Sequence, residues 1–192
     1  MSQSAKTLDP ATLVPPQVNG NILTRAAGIE LAVLDVDGVL TEGALHYGPN
    51  GEETKVFNTL DGHGIKMLQS AGVIVAIISG RESKALGKRA GDLGIHHLFM
   101  GVADKGVKFQ TLLDDCGIAG EKCAGIGDDI VDLPYLSRCG FSVAVPDSPA
   151  YLKSQVHYVT QARAGHGAAR EFCDIILHAK GKLAGLIAGY AA

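Results

Sequence analysis

Short apolar runs alternate with longer amphipathic segments along most of this chain, and this alternation is what most constrains its fold. Five runs have the length of a buried strand: residues 31–36, 73–78, 97–100, 123–126 and 142–145. Five segments have helical character: residues 62–70, 82–93, 105–116, 130–138 and 168–183. Strand, helix and strand in repetition predict an α/β fold, a Rossmann-like parallel sheet flanked by helices.

One stretch departs from this rhythm. Segments 44–47 and 54–57 are extended in character and flank the tetrapeptide Gly-Pro-Asn-Gly at 48–51. Asn-Gly between two extended runs is a strong hairpin signal. We therefore expect a β-hairpin flap, residues 44–57, directly after the first strand.

The domain organisation follows from length and from proline. A chain of 192 residues is long enough for one hydrophobic core and short for two. Pro10, Pro15 and Pro16 among small polar residues disfavour regular structure near the start. We predict an N-terminal arm, 1–28, and a single domain, 29–192, whose C-terminal helix and tail occupy 167–192. We find no signal peptide pattern and no apolar window long enough for a membrane span.

Charge and cysteine usage exclude several classes of partner. The formal net charge of −3 argues against general attraction to nucleic acid or to anionic membranes, since both favour a basic surface. The four cysteines stand far apart, with no CxxC pair, so neither a zinc site nor a disulfide framework is indicated. We therefore expect a cytoplasmic protein with no nucleic-acid or membrane partner.

Acidic residues follow two of the predicted strands. Asp35 and Asp37 stand at the exit of the first, and Asp128 belongs to the sequence Gly-Asp-Asp-Ile-Val-Asp at 127–132. Parallel strands end at one edge of a sheet, so these carboxylates are expected together. Close carboxylates repel unless a cation lies between them or one is protonated, and oxygen ligands favour Mg²⁺. An ordinary turn at Asp37 and a helix N-cap at Asp128 would explain the same residues without any function.

Two further segments carry polar or charged residues to the start of a helix. Ser79, Gly80 and Arg81 follow the second long run, where backbone amides and a hydroxyl can approach an anion. Lys105 opens the next helix, where a cation opposes the helix dipole, so a nearby anion such as Asp35 is expected. An ordinary turn and a solvated lysine are the alternatives without function.

In order and spacing these four segments match the motifs of the haloacid dehalogenase-like phosphatases, which the chain resembles from about 31 to 145. The resemblance implies that Asp35 is the nucleophile and Asp37 the general acid and base. It implies that Asp35, the main-chain carbonyl of Asp37 and Asp128 bind Mg²⁺. It further implies that Ser79 holds a phosphoryl oxygen and that Lys105 neutralises charge.

A narrower likeness is carried by residues 51–65 and 167–174, which look like the flap and tail of the 3-deoxy-D-manno-octulosonate 8-phosphate phosphatases. Segment 38–78 holds a hairpin and one helix, so no cap domain is expected. The likeness implies a homotetramer in which a neighbour's flap and tail help close the site. The implied substrate is a phosphorylated eight-carbon keto acid on the route to lipopolysaccharide. The implied substrate-binding positions are Asn58, Thr59, Leu60, Asp61, Gly62, Lys66, Ser79, Gly80, Arg81, Arg89 and Lys105.

Some positions depart from that family. Leu60, Lys66 and His166 stand where many members have arginine; lysine keeps the charge but not the two-pronged geometry, and leucine keeps neither. A phosphatase acting on a nine-carbon sialic-type keto acid phosphate is the alternative substrate reading. Two readings from other classes also stay open: a receiver-type signalling domain and a catalytically idle scaffold.

Overall fold

The computed structural model describes residue 9 and residues 12–191. Its strands in chain order are β1 Leu31–Leu34, β2 His46–Gly48, β3 Gly51–Thr54, β4 Ile74–Ile78, β5 His97–Phe99, β6 Cys123–Gly127, β7 Phe141–Ala144 and β8 Tyr158–Val159. Its α-helices are α1 Gly20–Ala27, α2 Thr59–Ser70, α3 Lys84–Leu93, α4 Lys105–Cys116, α5 Leu133–Leu136, α6 Ala150–Lys153, α7 Ala168–Ala179 and α8 Leu183–Ala191.

Six of the strands form one parallel sheet in the order β5-β4-β1-β6-β7-β8. Strand β1 lies in the middle and is buried on both faces: Ala32 and Leu34 join one hydrophobic cluster, Leu31 and Val33 the other. The first cluster contains side chains of α1, α2, α3 and α7, and the second contains side chains of α4 and α5. The predicted α/β sheet with helices on both faces is confirmed.

The hairpin predicted after the first strand is present as β2 and β3, which pair antiparallel. Pairing lies closer to the turn than the predicted 44–57, because it begins at His46 opposite Thr54. Gly51 has a φ of 107°, a conformation that glycine adopts without strain. Between β1 and β4 the described residues form only this hairpin and α2, and no cap domain.

Other parts of the chain also differ from the sequence prediction. The arm predicted over 1–28 ends in α1, which Asn19 caps and whose Ile22 and Ala26 are buried; residues 1–8, 10 and 11 lie outside the described part. The helix predicted over 168–183 is interrupted, because Gly181 adopts a φ of 66° between α7 and α8. The last strand of the six-stranded sheet, β8, is only two residues long. Two residues are too few for an apolar strand pattern to be recognised in the sequence.

The helix predicted over 130–138 consists of a 3-10 turn, Ile130–Asp132, followed by the short α5. Pro134 stands in the first turn of α5, where its missing amide is tolerated. The 3-10 turn matters for the site below, since it folds Asp132 back toward the start of its own loop. Among the described residues, none of the helices has the length and apolar character needed to cross a bilayer.

Candidate active site

Strands β1 and β6 bring two carboxylates to the same edge of the sheet. Strands β1 and β6 are parallel neighbours with Leu34 opposite Ile126, and the Asp35 amide continues the ladder by donating to the Ile126 carbonyl, 3.1 Å away. Asp35 follows β1 directly, and Asp128 follows β6 directly. The convergence of Asp35 and Asp128 expected from the sequence is therefore present.

Gly38 makes room for this convergence. Its φ is 88°, and a Cβ atom built on it would collide with the Asp128 carboxylate. Both the backbone angle and the lack of space exclude other side chains here. The turn at Asp37 and Gly38, given above as an alternative without function, is present, and it also brings Asp128 against the loop that carries Asp35 and Asp37.

Three carboxylates meet at this point. Among the residues that the structure describes, one oxygen each of Asp35, Asp128 and Asp132 lies within 4.8 Å of the others. Burial raises the pKa of Asp128 to about 8, and the charges of Asp35 and Asp132 add to the effect. Burial and Asp132 likewise raise the pKa of Asp35 to about 6, although Lys105 lowers it. Buried carboxylates that retain protons near neutral pH fit a divalent cation, which would replace the protons.

Asp132 was not among the predicted site residues. It is fully buried, and its Oδ2 accepts hydrogen bonds from the amides of Asp128 at 2.9 Å and Asp129 at 3.2 Å. Its Oδ1 accepts from Lys105 Nζ at 2.5 Å. The signal for it in the sequence is the third acid of Gly-Asp-Asp-Ile-Val-Asp, three residues after Asp129, the spacing of a capping box.

Lys105 lies at the start of α4 with its side chain buried. Its Nζ is 2.7 Å from Asp35 Oδ1 and contacts Asp132 from the other side. Burial lowers the pKa of Lys105, but the two carboxylates more than offset burial and leave that pKa raised. The sequence predicted an anionic partner for Lys105, such as Asp35. The structure has Asp35 in that position and Asp132 as a second partner.

Ser79 and Arg81 stand beyond the end of β4. The Ser79 amide donates to the Phe99 carbonyl at 2.9 Å, and its own carbonyl accepts from the Val102 amide at 3.0 Å. Ser79 Oγ accepts from the Arg81 amide at 3.2 Å. Together with Asp35, Asp37, Gly80, Lys105 and Asp128, these residues line a cavity of about 250 Å³.

Asp37 lines the same cavity as Asp35 and Asp128, but its carboxylate pairs with other side chains. Its Oδ1 is paired with Lys55 Nζ from the hairpin, and its Oδ2 lies 3.9 Å from Arg81 Nε. Lys55 is a second residue that the sequence did not single out, since nothing in the hairpin pattern states where its side chain points. Arg81 also donates to the Tyr47 hydroxyl, so both hairpin strands contact this rim.

The remaining predicted substrate-binding residues form a separate group at the start of α2. Asn58 caps α2 through the Leu60 amide at 2.8 Å, and its carbonyl accepts from Arg89 Nη2 at 3.1 Å. Asp61 Oδ1 accepts from the Arg170 amide at 2.7 Å. A Cβ on Gly62 would collide with Arg89. Thr59, Leu60 and Lys66 are exposed.

A larger groove of about 700 Å³ lies elsewhere, lined by Arg25, Gln110, Arg138 and His157 among others. We do not assign the chemistry to it, because the clustered carboxylates and the buried lysine all line the smaller cavity. Volume alone does not identify a reactive site; converging charged groups with shifted pKa values do.

The chain is similar to known proteins over nearly all its length. A family model described as haloacid dehalogenase-like hydrolase matches residues 97–172. The chain is 44% identical over 183 residues to 3-deoxy-D-manno-octulosonate 8-phosphate phosphatase KdsC of Salmonella typhi, covering 95% of this chain and 96% of that protein.

Solved structures give the same result. The crystal structure of 3-deoxy-D-manno-octulosonate 8-phosphate phosphatase from Yersinia pestis superposes with a TM-score of 0.84 at 46% identity, covering 86% of this chain and 90% of that one. The Moraxella catarrhalis enzyme of the same name, in complex with a magnesium ion, a phosphate ion and a KDO molecule, superposes with a TM-score of 0.87 at 38% identity, covering 90% and 99%.

Proposed function

This chain belongs to the 3-deoxy-D-manno-octulosonate 8-phosphate phosphatases, within the haloacid dehalogenase-like hydrolases, and on that premise we propose its substrate and mechanism. It is a phosphomonoesterase. We propose that it hydrolyses 3-deoxy-D-manno-octulosonate 8-phosphate to the free sugar acid and phosphate, as a step in making lipopolysaccharide precursors. The observation that carries the proposal is the meeting of Asp35, Asp128 and Lys105 in one small cavity.

Asp35 is the nucleophile of the proposed reaction. One of its oxygens attacks phosphorus while the bond from phosphorus to the sugar oxygen breaks, which leaves an aspartyl phosphate. Asp37, as a carboxylic acid, gives its proton to the departing sugar oxygen. The products of this step are the sugar alcohol, phosphorylated Asp35 and ionised Asp37.

Water completes the reaction. Asp37 takes one proton from a water molecule whose oxygen attacks phosphorus, and the phosphate leaves Asp35 with the other proton. Asp35 is then a carboxylate and Asp37 an acid, as at the start. Lys105, Ser79 and the amides after β4 stabilise negative charge on the transferred group throughout.

Asp35, Asp128 and the main-chain carbonyl of Asp37 are proposed to hold Mg²⁺, which when bound supplies positive charge opposite the phosphoryl oxygens. The donor set fits, since all three are hard oxygens. The raised pKa values of Asp35 and Asp128 support this assignment, because burial and the neighbouring carboxylates disfavour their ionised forms unless a cation is bound beside them.

The sugar-acid end of the substrate is assigned to the rim of the cavity and the start of α2, residues 58–62, with Lys66, Arg81 and Arg89. Several of these residues are cations, which a phosphate and a carboxylate on one molecule require. The hydrogen bond from Arg89 to the Asn58 carbonyl ties the guanidinium to the first turn of α2. Asp61 supports the same turn by accepting from the Arg170 amide.

We also propose that the protein is a cytoplasmic homotetramer. Without a cap the cavity stays open on one side, and exclusion of water is then left to a neighbouring subunit. Large apolar side chains are exposed on and beside the hairpin: Leu45, Tyr47, Val56 and Leu60. Their concentration in one segment, 45–60, favours a contact surface there. Sedimentation velocity on the wild type and on a Val56→Asp, Leu60→Asp double variant tests the assembly.

The experiment for the reaction is a phosphate-release assay with Mg²⁺ on a panel of sugar phosphates, with and without chelator. We expect 3-deoxy-D-manno-octulosonate 8-phosphate to give the highest kcat/KM and the chelator to abolish turnover. A higher kcat/KM for a nine-carbon keto acid 9-phosphate would overturn the substrate assignment but not the reaction. Mg²⁺ binding without turnover of any phosphate would indicate a scaffold.

A further inference from the structure

Lys55 is a hairpin residue whose side chain is withdrawn from water. It directly follows β3, and only 2% of its side chain is exposed, whereas Tyr47 on the opposite strand is 60% exposed. Its Nζ is paired with Asp37 Oδ1. Lysine is seldom fully buried unless its ammonium group is paired, because desolvation of that charge is costly.

The two carboxylates of the proposed reaction are therefore held by different lysines from different elements. Lys105 at the start of α4 contacts Asp35, and Lys55 after the hairpin contacts Asp37. The Oδ2 of Asp37 faces Arg81 Nε at 3.9 Å. One oxygen of Asp37 is thus engaged by Lys55, while the other faces Arg81, which lines the cavity as Asp37 does.

We propose that Lys55 is a positioning residue for Asp37, which rests on the reaction proposed above. By engaging Oδ1, Lys55 fixes the orientation of the carboxyl group so that Oδ2 faces the leaving oxygen. The hairpin is then part of the catalytic apparatus of its own subunit, in addition to any contact it makes with a neighbour. A misplacement of about 1 Å in a reacting group can cost about 100-fold in rate.

The chemistry of the leaving group provides a specific readout. A sugar alkoxide is a strong base and must be protonated as it departs, so its release depends on Asp37. The 4-nitrophenolate ion is a weak base and departs without a proton, so its release does not depend on Asp37. Loss of a residue that positions Asp37 must therefore slow hydrolysis of the sugar phosphate and leave hydrolysis of 4-nitrophenyl phosphate nearly unchanged. Loss of phosphate binding slows hydrolysis of both.

The experiment compares Lys55→Met with wild type at saturating Mg²⁺. Single-turnover release of the leaving group is measured by rapid quench with enzyme in excess over substrate, and kcat and KM are measured in the steady state. We expect the rate constant for 3-deoxy-D-manno-octulosonate 8-phosphate to fall at least about tenfold, and that for 4-nitrophenyl phosphate by less than about threefold. Lys55→Arg keeps the charge and is expected to recover most of the sugar phosphate rate.

Lys122→Met is the matched control, because Lys122 also forms an ion pair, with Glu30 at 2.7 Å, but lies before β6 with 56% of its side chain exposed. We expect it to change neither rate. Thermal unfolding of every variant verifies that the proteins compared are folded.

Equal loss with both substrates, no loss with either, or a rise in KM alone would overturn the role of Lys55. A wild type that hydrolyses neither substrate would instead contradict the proposed function. If Lys55→Met does not fold, Lys55→Arg decides the matter: its rate ratio for the two substrates must stay close to that of the wild type, and a selective loss of the aryl phosphate would count against the proposal.

Discussion

Lys105 Nζ lies 2.5 Å from Asp132 Oδ1, a contact between two side chains that are both withdrawn from water. The second oxygen of Asp132 accepts from two backbone amides of the loop after β6. One carboxylate therefore fixes both the lysine beside Asp35 and the loop that carries Asp128. We therefore propose that Asp132 supports the metal site by orienting Lys105 and the loop that carries Asp128.

Asp132→Asn tests this role. The amide keeps the volume, but it replaces one acceptor oxygen with a donor and removes the charge that faces Lys105. Loss of a residue that orients metal ligands weakens affinity by about 10–100-fold, and we expect that decrease in Mg²⁺ affinity by isothermal titration calorimetry. Asp92→Asn is the control, because Asp92 pairs with Lys88 on the surface. Equal Mg²⁺ affinity in wild type and Asp132→Asn would contradict the assignment.

Asp35→Asn removes the proposed nucleophile and keeps the shape of its side chain. We expect phosphate release to fall by at least about 10³-fold, as for other covalent nucleophiles, while circular dichroism remains that of the wild type. The hydrogen-bonded strand ladder around Asp35 runs through its backbone amide, which asparagine retains. Residual turnover within about tenfold of the wild type would exclude the aspartyl phosphate route.

Gly38→Ala tests the close approach of two loops. A methyl group at this position would collide with the Asp128 carboxylate, and the φ of 88° disfavours any side chain. We expect weaker Mg²⁺ binding and lower kcat with little change in KM, because Asp128 is displaced. Gly72→Ala is a matched control for backbone strain alone: its φ is 86° and no atom lies within 4 Å of its added Cβ. Equal kinetic effects of both variants would show that strain, not displacement of Asp128, is responsible.

Stability in the absence of metal should depend on pH. Burial raises the pKa of Asp128 from 3.8 in the unfolded chain to about 8 in the folded one, so the folded state binds more protons between these values. The free energy of unfolding of the metal-free protein therefore decreases as the pH rises through that window, by at most about 1.4 kcal/mol per pH unit for one group.

Mg²⁺ competes with this proton. We expect the increase in thermal midpoint on adding Mg²⁺ to be larger at about pH 8.5 than at about pH 6.5, because the metal binds the ionised carboxylates. Asp128→Asn should lose both the metal-dependent increase and its pH dependence. The same increase at both pH values would show that Asp128 does not bind the cation with release of a proton.

The sequence predicted the parts of the fold that have a repeating pattern. The apolar runs 31–36 and 123–126 predicted two strands of one parallel sheet, and the convergence of Asp35 and Asp128 at one edge of it followed from parallel topology. β8 was missed because two residues carry no periodicity, and the break between α7 and α8 depends on the single positive φ of Gly181.

Side-chain direction was the harder part of the site. Asp132 comes into contact with Lys105 only because a 3-10 turn, not an α-helix, follows Asp129. Lys55 reaches Asp37 only because the hairpin folds back over the end of β1. Neither contact follows from spacing along the chain. One depends on how the 3-10 turn packs against the start of α4, and the other on how the hairpin packs against the loop after β1.

Strand β1 lies at the centre of the sheet, while the hairpin is a separate two-stranded ribbon. Amide hydrogens of central strands exchange only on global unfolding, whereas isolated ribbons open at much lower free energy. In the proposed mechanism the nucleophile, Asp35, therefore adjoins the strand that we expect to exchange slowest, and Lys55, beside the proposed proton donor, follows a ribbon that we expect to exchange faster. Dilute urea should therefore impair proton delivery to the leaving sugar well before it dismantles the phosphoryl acceptor.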